Sequence, residues 1–230
     1  LNFDMKKFKK YEKKINYIVV NDLPKVVKSF KKNWHPAHAR DQFQRNALVR
    51  GLSDCDLDDV IMISDLDEIP NPEKISDFKK EDKYACFVQG NFLFKLNLLN
   101  TSEPKWFGTR VCRKKDLKSP QWLREIKSRK IPFYKFYKPK FDKFILNGGW
   151  HFSSVKTAEG IYKKLHSFSE QQFNNKKFKD MDIIKNKIEQ KKDLFDRGYD
   201  FKVLKVDQTF PKFIYENQDK FKDFIYTDAN

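Results

Sequence analysis

Asp58-Asp59-Val60-Ile61-Met62-Ile63-Ser64-Asp65-Leu66-Asp67-Glu68-Ile69-Pro70 decides how this chain is read. Val60 to Ile63 is a short, uninterrupted apolar run rich in β-branched residues. Such a run reads as a central strand covered on both faces. It ends in the carboxylates Asp65, Asp67 and Glu68, and Ile69-Pro70-Asn71-Pro72 then turns the chain. Acids this close repel one another and are costly to desolvate. A cation between them would offset both costs. Hard divalent ions such as Mg²⁺ or Mn²⁺ take carboxylate oxygens and leave positions open for substrate phosphates. Ligands of open α/β sheets bind beyond the carboxyl ends of the strands. The expectation is a metal–phosphate site at Asp65 and Asp67. The bland alternative is an acidic turn with Asp67 as a cap, against which the strand before and the Ile-Pro stop behind both weigh.

Upstream, Ile15 to Val20 reads as a strand and Ala39 to Leu52 as a helix on which Gln44, Leu48 and Gly51 share a face. With the acidic strand, this predicts a strand–helix–strand parallel crossover. Downstream, a short helix starts at Asn71-Pro72-Glu73. Strands are expected at Tyr84 to Val88 and Asn91 to Leu96, joined at Gly90, and at Trp106 to Cys112. Ser119 to Tyr137 is basic and aromatic, broken by Pro120 and Pro132 into loops and short elements. Asn147 to Ser153 is a glycine-hinged strand, and Thr157 caps a helix. Met181 to Phe195 is a longer amphipathic helix. The pattern describes one α/β domain over residues 1–230 with a helical C-terminal flank.

Gly148-Gly149-Trp150-His151 is the second candidate constellation. The glycines let backbone approach a ligand, Trp150 offers a wall, and His151 is a metal- or phosphate-ligating type. A lone histidine is more often structural, a balance that tips if His151 sits near Asp67. Gln44-Arg45-Asn46 reads equally as a nucleotide contact or a solvated helix face. The basic aromatic stretch Trp122 to Lys140 fits a nucleic-acid track, an acceptor-binding loop or plain surface. P-loop, GxGxxG, HExxH and GxSxG patterns are absent, as are RRM, KH and helix-turn-helix signatures.

Composition sets the outer bounds. The 230 residues are 39% hydrophobic and 16% aromatic, enough for a real core. No apolar run approaches a membrane span. The formal net charge of +16 draws the protein towards polyanions: nucleic acid, anionic headgroups or phosphorylated sugars. Cys55, Cys86 and Cys112 have no zinc or disulfide spacing, which favours a reducing compartment.

Asp59 to Pro70 resembles the signature of glycosyltransferase family 17, as do Gly149-Trp150-His151-Phe152-Ser153-Ser154 and Glu159-Gly160-Ile161-Tyr162-Lys163-Lys164-Leu165. Phe210-Pro211-Lys212-Phe213-Ile214 with Phe221 is similar to the family's end. The resemblance implies a GT-A (Rossmann-like) α/β fold with a mixed, mainly parallel sheet. It also implies an inverting transfer of GlcNAc from UDP-GlcNAc to a glycan acceptor with a β linkage. Asp65 and Asp67 would be the DxD pair holding Mn²⁺ or Mg²⁺ against the donor diphosphate, with His151 on the metal or a phosphate. Gln44 and Arg45 match a helix that contacts the donor, and Gly149 and Trp150 stand with them. Glu68 and Glu159 are the two candidates for general base.

Family members usually carry a further strand–helix–strand segment before the region matching Lys14, so either a longer protein or a differently built donor pocket is expected. The Lys excess departs from the mammalian member and favours a bacterial or viral surface glycan, such as a glycoprotein, lipopolysaccharide or capsule-type acceptor. That reading places the enzyme in the cytoplasm or peripherally on an anionic membrane, or in a Golgi-type lumen if an anchor precedes Leu1. Nucleic acid is not an expected partner. The alternatives are a basic nucleic-acid-binding module, or a phosphotransferase or nuclease using Asp65, Asp67 and Glu68.

Overall fold

The structure is a computed structural model that describes residues 3–23, 36–128, 137–167 and 180–227. Its organising element is not the acidic strand but β3 (Tyr84–Leu93), with nine of ten residues buried. Aromatic and aliphatic residues alternate with almost no charge, so β3 is covered on both faces. Gly90 does not break it. A Cβ there would lie 2.8 Å from the Phe92 ring, which folds over the glycine and keeps the strand continuous.

The other strands are β1 (Val60–Ile63), β2 (Glu68–Pro70), β4 (Leu98–Asn100), β5 (Lys105–Arg113), β6 (Lys143–Ile145), β7 (Gly149–Ser153) and β8 (Phe201–Val203). They form one mixed sheet whose longest path runs β1-β5-β3-β4-β8. On its second edge β3 pairs in parallel with β6 and then β7, and β7 pairs antiparallel with β2. Five strand pairs are antiparallel and two are parallel, so the mainly parallel sheet expected from the sequence is corrected. The connections explain it. β3, β4 and β5 follow one another through links too short for a crossover, which allow only antiparallel return.

Two further expectations fail for related reasons. β1 pairs with β5 alone, and Val60 is exposed while Ile61 and Ile63 are buried, so β1 is an edge strand. Ile15 to Val20 runs without strand pairing, which removes the parallel crossover.

The helices are α1 (Pro36–Ala47), α2 (Pro120–Glu125), α3 (Ala158–Ser167), α4 (Met181–Glu189) and α5 (Lys212–Glu216). Met5–Lys14, Leu48–Leu52, Pro72–Asp77 and Gln218–Phe224 are 3₁₀ segments. Asn71 caps the third by accepting from the Glu73 backbone N–H at 3.1 Å. Thr157 accepts from Gly160 N–H at 3.2 Å, as its cap role predicts. α2 lies in the basic stretch read as loops and short elements; residues 129–136 of that stretch, Trp34, His35 and Phe168 lie outside the described residues. No helix among the described residues is long and apolar enough to cross a membrane.

Four apolar clusters cover β3. Tyr84 and Cys86 pack with Ile61, Ile63 and Leu123 of α2, and Ala85 and Phe87 with Val111 and Ile145. Leu93 and Phe94 pack with Ile161 and Ile184 of α3 and α4, while Phe92 packs with Phe152, Phe210 and Ile214 beside α5.

Candidate active site

β2 and β7 are the elements that place the site. Their register sets Glu68 against His151 and Ile69 against Trp150. Side chains alternate along a strand, so Glu68 and His151 share one face while Ile69 and Trp150 share the other.

On the first face the turn Asp65-Leu66-Asp67-Glu68 closes twice. Glu68 N–H donates to the Asp65 carbonyl at 3.0 Å, and Asp65 N–H donates to Glu68 Oε2 at 3.1 Å. The acids then part company. Asp65 Oδ1 accepts from Arg45 Nη2 at 3.0 Å and Oδ2 from Arg124 Nη2 at 2.8 Å. Arg124 also donates to Glu68 Oε1 and Oε2 and to the Gly108 carbonyl, each at 2.8 Å. The cations that offset these two acids are therefore arginines, and Asp65 and Glu68 do not converge on an ion with Asp67. Among the described residues no group of three or more His, Cys, Asp or Glu side chains is arranged to hold a metal.

Burial by itself lowers the Arg124 pKa, but its hydrogen bonds and charge pairing with Glu68 and Asp65 outweigh this and raise it. α2 lies where Arg124 can do this because Asn46 Oδ1 of α1 accepts the Gln121 backbone N–H at 3.0 Å. Arg45 bonds Gln121 as well.

Asp67 remains open. Its side chain is 41% exposed, and Oδ2 lies 3.6 Å from His151 Nε2. Burial pulls its pKa up, but the His151 contact and the charge of Lys164 overcome that and lower it. His151 is held on both sides. Its ring stacks on Trp106 with centroids 4.1 Å apart and planes 10° apart. Its Nδ1 lies 3.0 Å from Asn91 Oδ1, while Asn91 Nδ2 donates to the Glu103 carbonyl at 2.9 Å. Since the Asn91 amine is spent on a carbonyl, its oxygen faces the ring, and the network assigns the proton to Nδ1. Nε2 faces the Asp67 carboxylate. A proton on Nε2 or a cation between the two fits this approach. Asp67 and His151 are the two groups of the motifs that face each other, with Asp65 beside them on its two arginines.

The remaining expected residues lie elsewhere. Gln44 is exposed on α1, and it is Arg45 that reaches the turn. Glu159 is exposed at the start of α3, with Lys185 Nζ 3.9 Å from its carboxylate. Gly149 has φ +130°, and a Cβ there would lie 2.1 Å from the Ile69 carbonyl, so this glycine serves close pairing of β2 with β7. Trp150 faces the other side of the sheet and donates through Nε1 to the Thr209 carbonyl at 3.1 Å. There it walls a cleft of about 1110 Å³ together with Ile69, Gly90, Phe92 and Phe210. Sequence reasoning missed Arg124, Trp106 and Asn91. Arg124 lay inside the basic stretch, but nothing in the spacing ties it to Asp65.

Comparison with known families bears directly on this site. The model of Glycosyltransferase family 17 matches residues 1–225. The protein is a glycosyltransferase. It belongs to glycosyltransferase family 17, as the motifs around Asp67 and His151 implied. No curated protein and no solved structure gives a significant match.

Proposed function

We propose that the Asp67–His151 pair is the catalytic centre of a metal-dependent, inverting transfer of GlcNAc from UDP-GlcNAc to a glycan, with a β linkage. The GT-A fold, the donor and the metal come from the family resemblance. The observation that carries the reading is His151 Nε2 opposite the Asp67 carboxylate at 3.6 Å. Asp67 and His151 would hold Mn²⁺ or Mg²⁺, with donor phosphate oxygens filling the other positions. The bound ion would supply charge neutralisation of the leaving diphosphate. Arg45 and Arg124 flank the turn and orient Asp65. Asn91 and Trp106 hold the imidazole so that Nε2 is directed at Asp67. Glu159 keeps its carboxylate oxygens in solvent, unlike Glu68. The acceptor we infer is a surface glycan, met in the cytoplasm or at an anionic membrane.

The test is UDP release from UDP-GlcNAc and UDP binding by calorimetry, with Mn²⁺ and with EDTA. Mn²⁺-dependent release is expected. Neither release nor binding in Mn²⁺ would overturn the reading.

A further inference from the structure

We propose that Glu68 is the positioning residue of this site and not its base, an inference that rests on the transfer reading above. The Glu68 side chain is fully buried, with 0% exposure. Its Oε1 accepts from Trp106 Nε1 and Arg124 Nη2, both at 2.8 Å. Its Oε2 accepts from Arg124 Nη1 at 2.8 Å and from the Asp65 backbone N–H at 3.1 Å. An ionised carboxylate offers about four acceptor positions, and these donors fill them. A general base needs a vacant lone pair within reach of the acceptor hydroxyl. Glu68 has neither the vacancy nor the exposure.

What it does have is a bond to the support of every other acid or imidazole in the site. Through Arg124 it sets the guanidinium edge that holds Asp65. Through the Asp65 N–H it closes the turn that carries Asp67. Through Trp106 Nε1 it fixes the indole on which His151 stacks. A buried group in contact with the supports of three site residues controls their geometry without touching substrate.

Glu68→Gln is the sharp variant, because the amide keeps the shape but puts an N–H₂ against donors that have nowhere else to turn. The measurements are UDP affinity in Mn²⁺ by calorimetry and the pH–rate profile of UDP release from UDP-GlcNAc. A positioning role predicts UDP binding weaker by about 10–100-fold, with the acidic limb of the profile retained. Unchanged UDP affinity with a roughly 10²–10⁴-fold fall in kcat and loss of that limb would make Glu68 the base and overturn the proposal. Trp106→Phe covers the case in which the buried amide prevents folding. It keeps the ring on His151, removes one donor from Glu68 and should weaken UDP binding in the same direction by less. Wild-type UDP binding that persists unchanged in Trp106→Phe overturns the positioning role. Wild-type protein that neither binds UDP nor releases it overturns the transfer reading itself.

Discussion

The two faces of the β2–β7 ribbon use the same residues of backbone for opposite ends. On one, Glu68 and His151 sit in a network in which nearly every polar atom has a partner. On the other, one residue along each strand, Ile69 and Trp150 wall an open, mostly apolar cleft. The difference teaches that charge density does not by itself mark an open site. Arginines neutralise Asp65 and Glu68, the second of them fully buried, and Asp67 is the acid left over.

The comparison breaks most easily at Asp67. Asp67→Asn keeps the turn and removes the anion opposite His151. Release of UDP is expected to fall by about 10²–10³-fold, the scale of losing one preorganised charge contact, with an unchanged melting temperature. Activity close to wild type would move the chemistry away from this face.

Arg124→Leu tests the closed part. It strands the buried Glu68 carboxylate and half of Asp65, so denaturant unfolding should show a loss of about 3–5 kcal/mol. Arg45→Ala, which touches a pair that is partly exposed, should cost under about 1 kcal/mol. Equal losses would show that the network is not centred on Arg124.

Cys86 lies beneath the same face, and burial pushes its thiol up to about 11, although Arg110 and Arg124 pull the other way. Burial pushes Cys112 up to about 12. Both raised values favour the protonated thiol in the fold over the unfolded chain, whose thiols titrate near 9.0. Their contribution is complete below pH 9 and is lost as pH rises from there towards 11 and 12. Melting temperature should therefore fall above pH 9, and an aromatic disulfide reagent at pH 8 should label Cys55 first. Rapid labelling of Cys86 in folded protein would show that this face is not sealed.

The cleft face supplies the last test. Trp150→Phe removes the Nε1 hydrogen bond to the Thr209 carbonyl, a loss of about 0.5–1.5 kcal/mol in unfolding, besides trimming indole packing against Phe92, Phe152 and Phe210. UDP release should not change, and a fall matching that of Asp67→Asn would join the two faces into one site.

Local readings held where local physics decides them. The strand at Trp106 to Cys112, most of the strand read at Asn147 to Ser153, the Thr157 cap, and the acid-rich turn after Ile63 each follow from residues within a few positions of one another. Readings that needed distant partners did not. The Val60 to Ile63 run looks like a central strand because β-branched residues suit any half-buried pleat; only its single partner, β5, makes it an edge. Gly90 looks like a break because its tolerance of the strand depends on the Phe92 ring.

The sequence by itself determined the family, the acidic turn and the GWH strand, because those motifs are short and contiguous. It also determined that the turn's charge had to be offset, since clustered carboxylates are costly wherever they are buried. Only the tertiary structure decided what offsets it. Arg124 stands 59 residues from Asp65 in sequence and 2.8 Å away in space. Folding also sorted the acids, closing Glu68 into the protein and leaving Asp67 facing His151, because burial and hydrogen-bond geometry are set by packing and not by spacing.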